Sequence, residues 1–235
     1  MPDWLNVILL TALAGLAMPA GACMAALEHI QSHWLQREFR HLVIAFGGGA
    51  LLSAVALVLV PEGSEHLGIP AAAVSFATGG LAFMGLDIWL ARSKSPMGQM
   101  AAMLSDFIPE SIALGAAIAA GSQSVLLLAA LMALQNVPEG FNAYRELRAA
   151  FQPSKIIIAF SAMALLGPVS GLTGFYVFAA HPQIVAAIMM FAAGGILYIV
   201  FGDIAPEAKL ERAWMIPFAA VSGFLLGIIG KMLTA

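Results

Sequence analysis

The chain has 235 residues, of which 61% are hydrophobic and 10% charged, with a formal net charge of −3 and a mean hydropathy of +0.94. Soluble domains carry about 25% charged residues, so the composition excludes an ordinary soluble enzyme, offers no basic surface for nucleic acid, and points to an all-α integral membrane protein whose surroundings are a lipid bilayer. The single cysteine, Cys23, excludes an internal disulfide.

Apolar runs of the roughly 20 residues that span a bilayer fall at Leu5–Leu27, His41–Pro61, Ile69–Ala91, Met97–Ala120, Ser122–Tyr144, Lys155–Ala179, Gln183–Gly202 and Trp214–Leu233. They predict eight transmembrane helices in one domain over residues 1–235, with helices 1–3 in 1–96, helices 4–5 in 97–150 and helices 6–8 in 151–235. The first run has no basic segment ahead of it and is too long for a signal peptide, so it counts as a helix. Its Gly15 and Gly21 suit close packing on a neighbour. The loop behind it holds Glu28, His29 and His33, read as solvated side chains rather than metal ligands.

Basic residues set the expected orientation. Arg37, Arg40, Arg92, Lys94, Arg145, Arg148, Lys155, Lys209 and Arg212 follow the odd-numbered helices, and only Lys231 falls on the other side. By the positive-inside rule both termini face out of the cytoplasm, in a bacterial inner membrane.

The second run ends in Pro61-Glu62, and Glu62, Glu65 and His66 form an outer acidic patch, read as a cation entrance or as a solvated loop. The fourth and fifth runs carry the chemistry. Asp106-Phe107-Ile108-Pro109-Glu110-Ser111 and Gln135-Asn136-Val137-Pro138-Glu139-Gly140 each set a polar residue four places before a glutamate, with a proline directly ahead of it. Residues i and i+4 share a helix face, so Asp106 pairs with Glu110 and Gln135 with Glu139. Each ionisable group in a spanning helix costs about 2.5–3.5 kcal/mol on insertion scales, so these carboxylates call for a cation. Pro109 and Pro138 cannot donate to Ser105 and Leu134, which predicts kinks and freed carbonyls. The bland alternative is a pair of kinked core helices whose polar groups bond to each other.

The seventh run closes in Asp203 and Pro206-Glu207. The two acids are read as a cation exit, with interfacial solvation equally compatible. Helices 2 and 7 align at an offset of 145 (Phe46 on Phe191, Gly49 on Gly194), helices 3 and 8 at 147 (Pro70 on Pro217, Gly80 on Gly227), and helices 4 and 5 at 29 through their Pro-Glu pairs. An odd number of helices separates equivalent members, so the copies are inverted. That is the sequence mark of an alternating-access transporter with its site near the midplane.

On these motifs the chain resembles the ZIP (Zrt-, Irt-like) family of divalent-metal transporters, prokaryotic type, over essentially its whole length. Gln135-Asn136-Val137-Pro138-Glu139-Gly140 is close to the family form, whereas the family's His-Asn-x-Pro-Glu-Gly in helix 4 appears as Asp106-Phe107-Ile108-Pro109-Glu110-Ser111. The resemblance implies a 3+2+3 inverted repeat, uptake of divalent cations (Zn2+, Mn2+, Fe2+ or Cd2+) as cargo with no resident cofactor, and no enzymatic activity. A homodimer is left open. It places one metal between Asp106, Glu110, Gln135 and Glu139. The family's second site needs ligands where this chain has Phe107 and Gly167, so one central ion is expected, with Phe107 as an apolar plug. Two alternatives stand beside this: a proton-linked transporter of a non-metal substrate, and an intramembrane hydrolase, for which Gly202-Asp203 supplies half of a known signature.

Overall fold

A computed structural model describes residues 2–27, 33–93, 98–207 and 214–234. Among these there is no strand. The helices are α1 (Asp3–Leu27); α2 (His33–Ala54, continuing through Val55–Leu59 into Val60–Glu65); α3 (Ile69–Ser93); α4 (Gly98–Ala119); α5 (Val125–Leu147); α6 (Pro153–Ala164, Leu166–Thr173 and Gly174–Phe178); α7 (Pro182–Ile199, continuing through Val200–Ile204 into Ala205–Glu207); and α8 (Met215–Thr234). Seven are long and apolar enough to cross a membrane. The eighth, α5, carries Gln135, Asn136 and Glu139 along its middle. Apolar side chains such as Val74, Leu81, Phe218 and Leu225 stand exposed on α3 and α8, a surface suited to lipid rather than water.

Prolines shape the helices, though not where the spacing predicts. Helical structure runs unbroken through Pro109 and Pro138. Irregular turns sit at three other prolines, and a further π-helical turn, Gly174–Phe178, closes α6 without one. Ahead of Pro61, α2 widens into a π-helical turn in which Val60 N–H reaches Val55 O. Ahead of Pro206, α7 does the same, with Ala205 N–H on Val200 O. A proline that cannot donate i→i−4 is accommodated there by one extra residue in the turn. In α6, Pro168 leaves the Ala164 carbonyl without its donor, and the helix is interrupted at Leu165, whose N–H tightens onto Ala162 O at 3.2 Å.

Between α4 and α5 the chain turns within five residues. Gly121, at φ +68°, takes the left-handed conformation that residues with a Cβ disfavour. Gly121 N–H bonds Ile118 O at 3.1 Å and Ser122 N–H bonds Ala117 O at 3.0 Å, the paired bonds of a Schellman cap. So short a turn makes α4 and α5 neighbours.

The helices pack as two sets. One joins α1, α4, α5 and α6 through broad α1–α5, α1–α6 and α4–α6 contacts; the other joins α2, α3, α7 and α8 through α2–α8 and α3–α7. Four of these contacts share one reciprocal device. On α1 and α5, a Cβ at Gly21 would overlap the Val137 carbonyl oxygen, and one at Gly140 that of Met18. The same exchange joins α4 to α6 (Gly115 on Gly171, Gly174 on Ile112), α2 to α8 (Gly49 on Ala220, Gly223 on Phe46) and α3 to α7 (Gly79 on Phe191, Gly194 on Phe76). Each glycine stands three residues after the carbonyl its own helix offers. Such approach brings Cα–H groups onto carbonyl oxygens and maximises backbone contact where lipid supplies no hydrophobic drive.

Candidate metal centre

The polar faces of α4 and α5 meet inside the first helix set. Glu110 and Gln135 are fully buried and Asp106 is 2% exposed. Gln135 Nε2 donates to both Glu110 oxygens, at 2.9 Å to Oε1 and 2.8 Å to Oε2. Phe107 N–H donates to Asp106 Oδ1 at 2.8 Å. Asp106 and Glu110 share a face of α4, and Asp106 and Glu139 line one cavity. The structure therefore brings together all four residues of the expected site, with Glu139 partly exposed to a cavity that Asp106 also lines.

Acceptor capacity is left over. Gln135 Oε1 and Glu139 Oε2 are buried with no hydrogen-bond partner among the described residues, and an unmet buried polar atom costs about 1–3 kcal/mol. Oxygen donors of this kind suit hard divalent ions. Still, among the described residues no three His, Cys, Asp or Glu side chains are already drawn together as a metal-holding group. The Gln135 amide holds Glu110 in their place.

Around Phe107 the space is filled. Phe107 is fully buried, and a Cβ added at Gly167 would meet its ring at 2.7 Å, one at Gly15 at 2.9 Å. Asn136 donates to Ala14 O at 2.9 Å.

No protein-family model matches the chain, and no curated protein matches its sequence.

Two cavities approach the site from opposite ends. One, of about 70 Å³, is lined by Asp106, Glu139, Asn142 and Glu146 together with Gly47, Gly48 and Ile204. The other, of about 500 Å³, is lined by Glu62, Glu65, His66, Ser122 and Lys231, and reaches only Ala116 and Ala117 on α4. Ala116 is six residues beyond Glu110, about 9 Å along the helix, so this cavity stops short. Its acids share it with the Lys231 ammonium, and Glu62 Oε1 accepts from Ser122 Oγ at 3.5 Å. Asp203 and Glu207 lie on the end of α7, but their side chains fall outside the described residues, as do His29 and the loop positions Lys94, Lys209 and Arg212.

Asn142 and Glu146 were not singled out by the motif. The signal was available: Gln135, Glu139, Asn142 and Glu146 follow one another at i, i+4, i+7 and i+11, one stripe of α5. The stripe covers about 16 Å of helix axis, from mid-helix to its polar end.

Proposed function

We propose that this chain is a divalent-cation transporter of ZIP type, carrying one ion at a time toward the cytoplasm by alternating access. The observation that carries the reading is the buried Glu110–Gln135–Asp106 group, with spare acceptors on Gln135 and Glu139, beside a cavity that Asp106 and Glu139 line. On loading, the Gln135 amide turns its oxygen to the ion, and Asp106, Glu110 and Glu139 supply the charge. The ion enters past Glu62 and Glu65, and leaves past Glu139 and, on α7, Asp203 and Glu207. Both termini then face out of a bacterial inner membrane, and the open cavity is the cytoplasmic one.

The 3+2+3 inverted repeat belongs to this reading, and the glycine contacts support it. Exchanging α1 with α6 and α5 with α4 turns Gly21–Val137 and Gly140–Met18 into Gly174–Ile112 and Gly115–Gly171, at constant shifts of 153 and 25. Exchanging α2 with α7 and α8 with α3 turns Gly49–Ala220 and Gly223–Phe46 into Gly194–Phe76 and Gly79–Phe191, at shifts of 145 and 144. The π-helical turns Val55–Leu59 and Val200–Ile204 are also 145 apart. Contacts thus favour 144 over the 147 read from Pro70 and Pro217, and 25 over the 29 read from the Pro-Glu pairs. At 25, Glu110 falls on Gln135, so the hydrogen-bonded pair straddles the pseudo-two-fold axis.

A second reading, proton-linked transport of a non-metal substrate, is favoured by the Glu110–Gln135 pairing, which is complete without an ion. Metal analysis of the purified chain, then competitive uptake of Mn2+, Zn2+, Fe2+ and Cd2+ in proteoliposomes, separates the two. Saturable uptake that Glu110→Gln removes is expected. Uptake of none of the four sinks the metal reading.

A further inference from the structure

The oxygen stripe of α5 continues beyond the central site. Asn142 Oδ1 is buried without a hydrogen-bond partner among the described residues, although an amide oxygen readily accepts. It lines the same cavity as Glu139 and Glu146. Glu146 stands at the wet end, its side chain 34% exposed, and Arg40 Nη2 of α2 donates to its Oε1 at 3.0 Å. This contact joins the two helix sets. A guanidinium therefore sits beside a carboxylate on a small cavity lined by Asn142 and Glu139, each of which has one buried oxygen without a partner among the described residues.

We infer that Asn142 and Glu146, with the Glu139 carboxylate, form a second cation-binding position on the way out, whose counter-charge before an ion arrives is the Arg40 guanidinium. This rests on the reading of the chain as a cation transporter. The donor set is an amide oxygen and two carboxylates, which suits a hard divalent ion of the Mn2+ type. The cavity of about 70 Å³ holds about two waters, each taking some 30 Å³, so the ion keeps part of its hydration shell. It binds more weakly here than at the buried centre. Arrival of the ion sets it against Arg40 for Glu146, and the two positive charges repel. Arg40 is thereby loosened from α5, and its ion pair with Glu146 across the helix sets opens as cargo leaves.

The test is a Mn2+ titration of the purified full-length chain in detergent, with free Mn2+ followed by electron paramagnetic resonance and folding checked by thermal unfolding. The unaltered protein is expected to show a tighter and a weaker binding event. Asn142→Ala and Glu146→Gln each remove the weaker event and keep the tighter. Glu110→Gln does the reverse. Arg40→Gln strengthens the weaker event by about fivefold, the size of a partly exposed charge contact, and Asn142→Asp strengthens it further. A tight event alone in the unaltered protein overturns the lower position and leaves the proposed function standing. So does a weaker event indifferent to both Asn142→Ala and Arg40→Gln, which would make Arg40–Glu146 a plain surface pair. Binding of no Mn2+ at all overturns both.

Discussion

At the scale of single residues, Glu110 accepts two hydrogen bonds where no water reaches it. Glu110→Ala removes a proposed ligand and strands the Gln135 amide, so metal uptake in proteoliposomes should fall to background while the protein still elutes as a folded species. Glu139→Ala should do the same; normal transport by that variant would move the central site elsewhere. On the proposed reading, Asp106 also sets selectivity. Imidazole suits zinc, while carboxylate and amide oxygens suit manganese and magnesium. Asp106→His should therefore raise the zinc-to-manganese uptake ratio, and an unchanged ratio would count against Asp106 as a ligand.

Between elements, two kinds of fit hold the site. Phe107 on α4 fills the gap left by Gly15 on α1 and Gly167 on α6. Bulk on one helix is matched by its absence on two others. Gly167→Leu forces the ring aside, an overpacking worth about 1–3 kcal/mol, and should lower the thermal midpoint; Phe107→Ala in the same chain should recover part of the loss. The Phe107→Asn, Gly167→Glu double variant opens the space and adds ligands. Crystals soaked in a heavy divalent ion should show one central ion in the natural protein and a second beside Asn136 only in the variant. The glycine exchanges are less forgiving, because their neighbours are backbone. Gly140→Leu would drive a side chain into the Met18 carbonyl, and loss of the folded protein from detergent extracts is the expected outcome.

For the molecule as a whole, the arrangement of cavities sets which side can reach the site. In a Cys23→Ser background, Asn142→Cys should react with a membrane-impermeant thiol reagent only from the side of the arginine-bearing loops, and Glu65→Cys only from the other. Labelling of Asn142→Cys equally from both sides would rule out a closed barrier around Ala116 and Ala117. On the proposed reading, the larger contacts between the helix sets, α2 on α5 and α4 on α7, change when access switches. They are built with small residues, as where Gly47 meets the Pro138 ring.

Hydropathy alone determined that the chain is a set of long apolar helices, because about 20 apolar residues admit few other solutions in lipid. The four polar residues on α4 and α5 were legible for a related reason: a carboxylate in an apolar run stands out whatever surrounds it, and i, i+4 spacing fixes its face. Register was not legible. Apolar helices resemble one another at many offsets, so Pro70 over Pro217 looked as good as the shift of 144 that the carbonyl contacts select. Nor did the sequence say which prolines would distort their helices: Pro109 and Pro138 are passed without a break, while Pro61, Pro168 and Pro206 adjoin the widened or broken turns. That depends on how each stretch is packed, as does the pairing of Arg40 with Glu146 across 106 residues of chain. Local pattern sets what each helix is; only the packing of one helix on another decides which oxygens share a cavity.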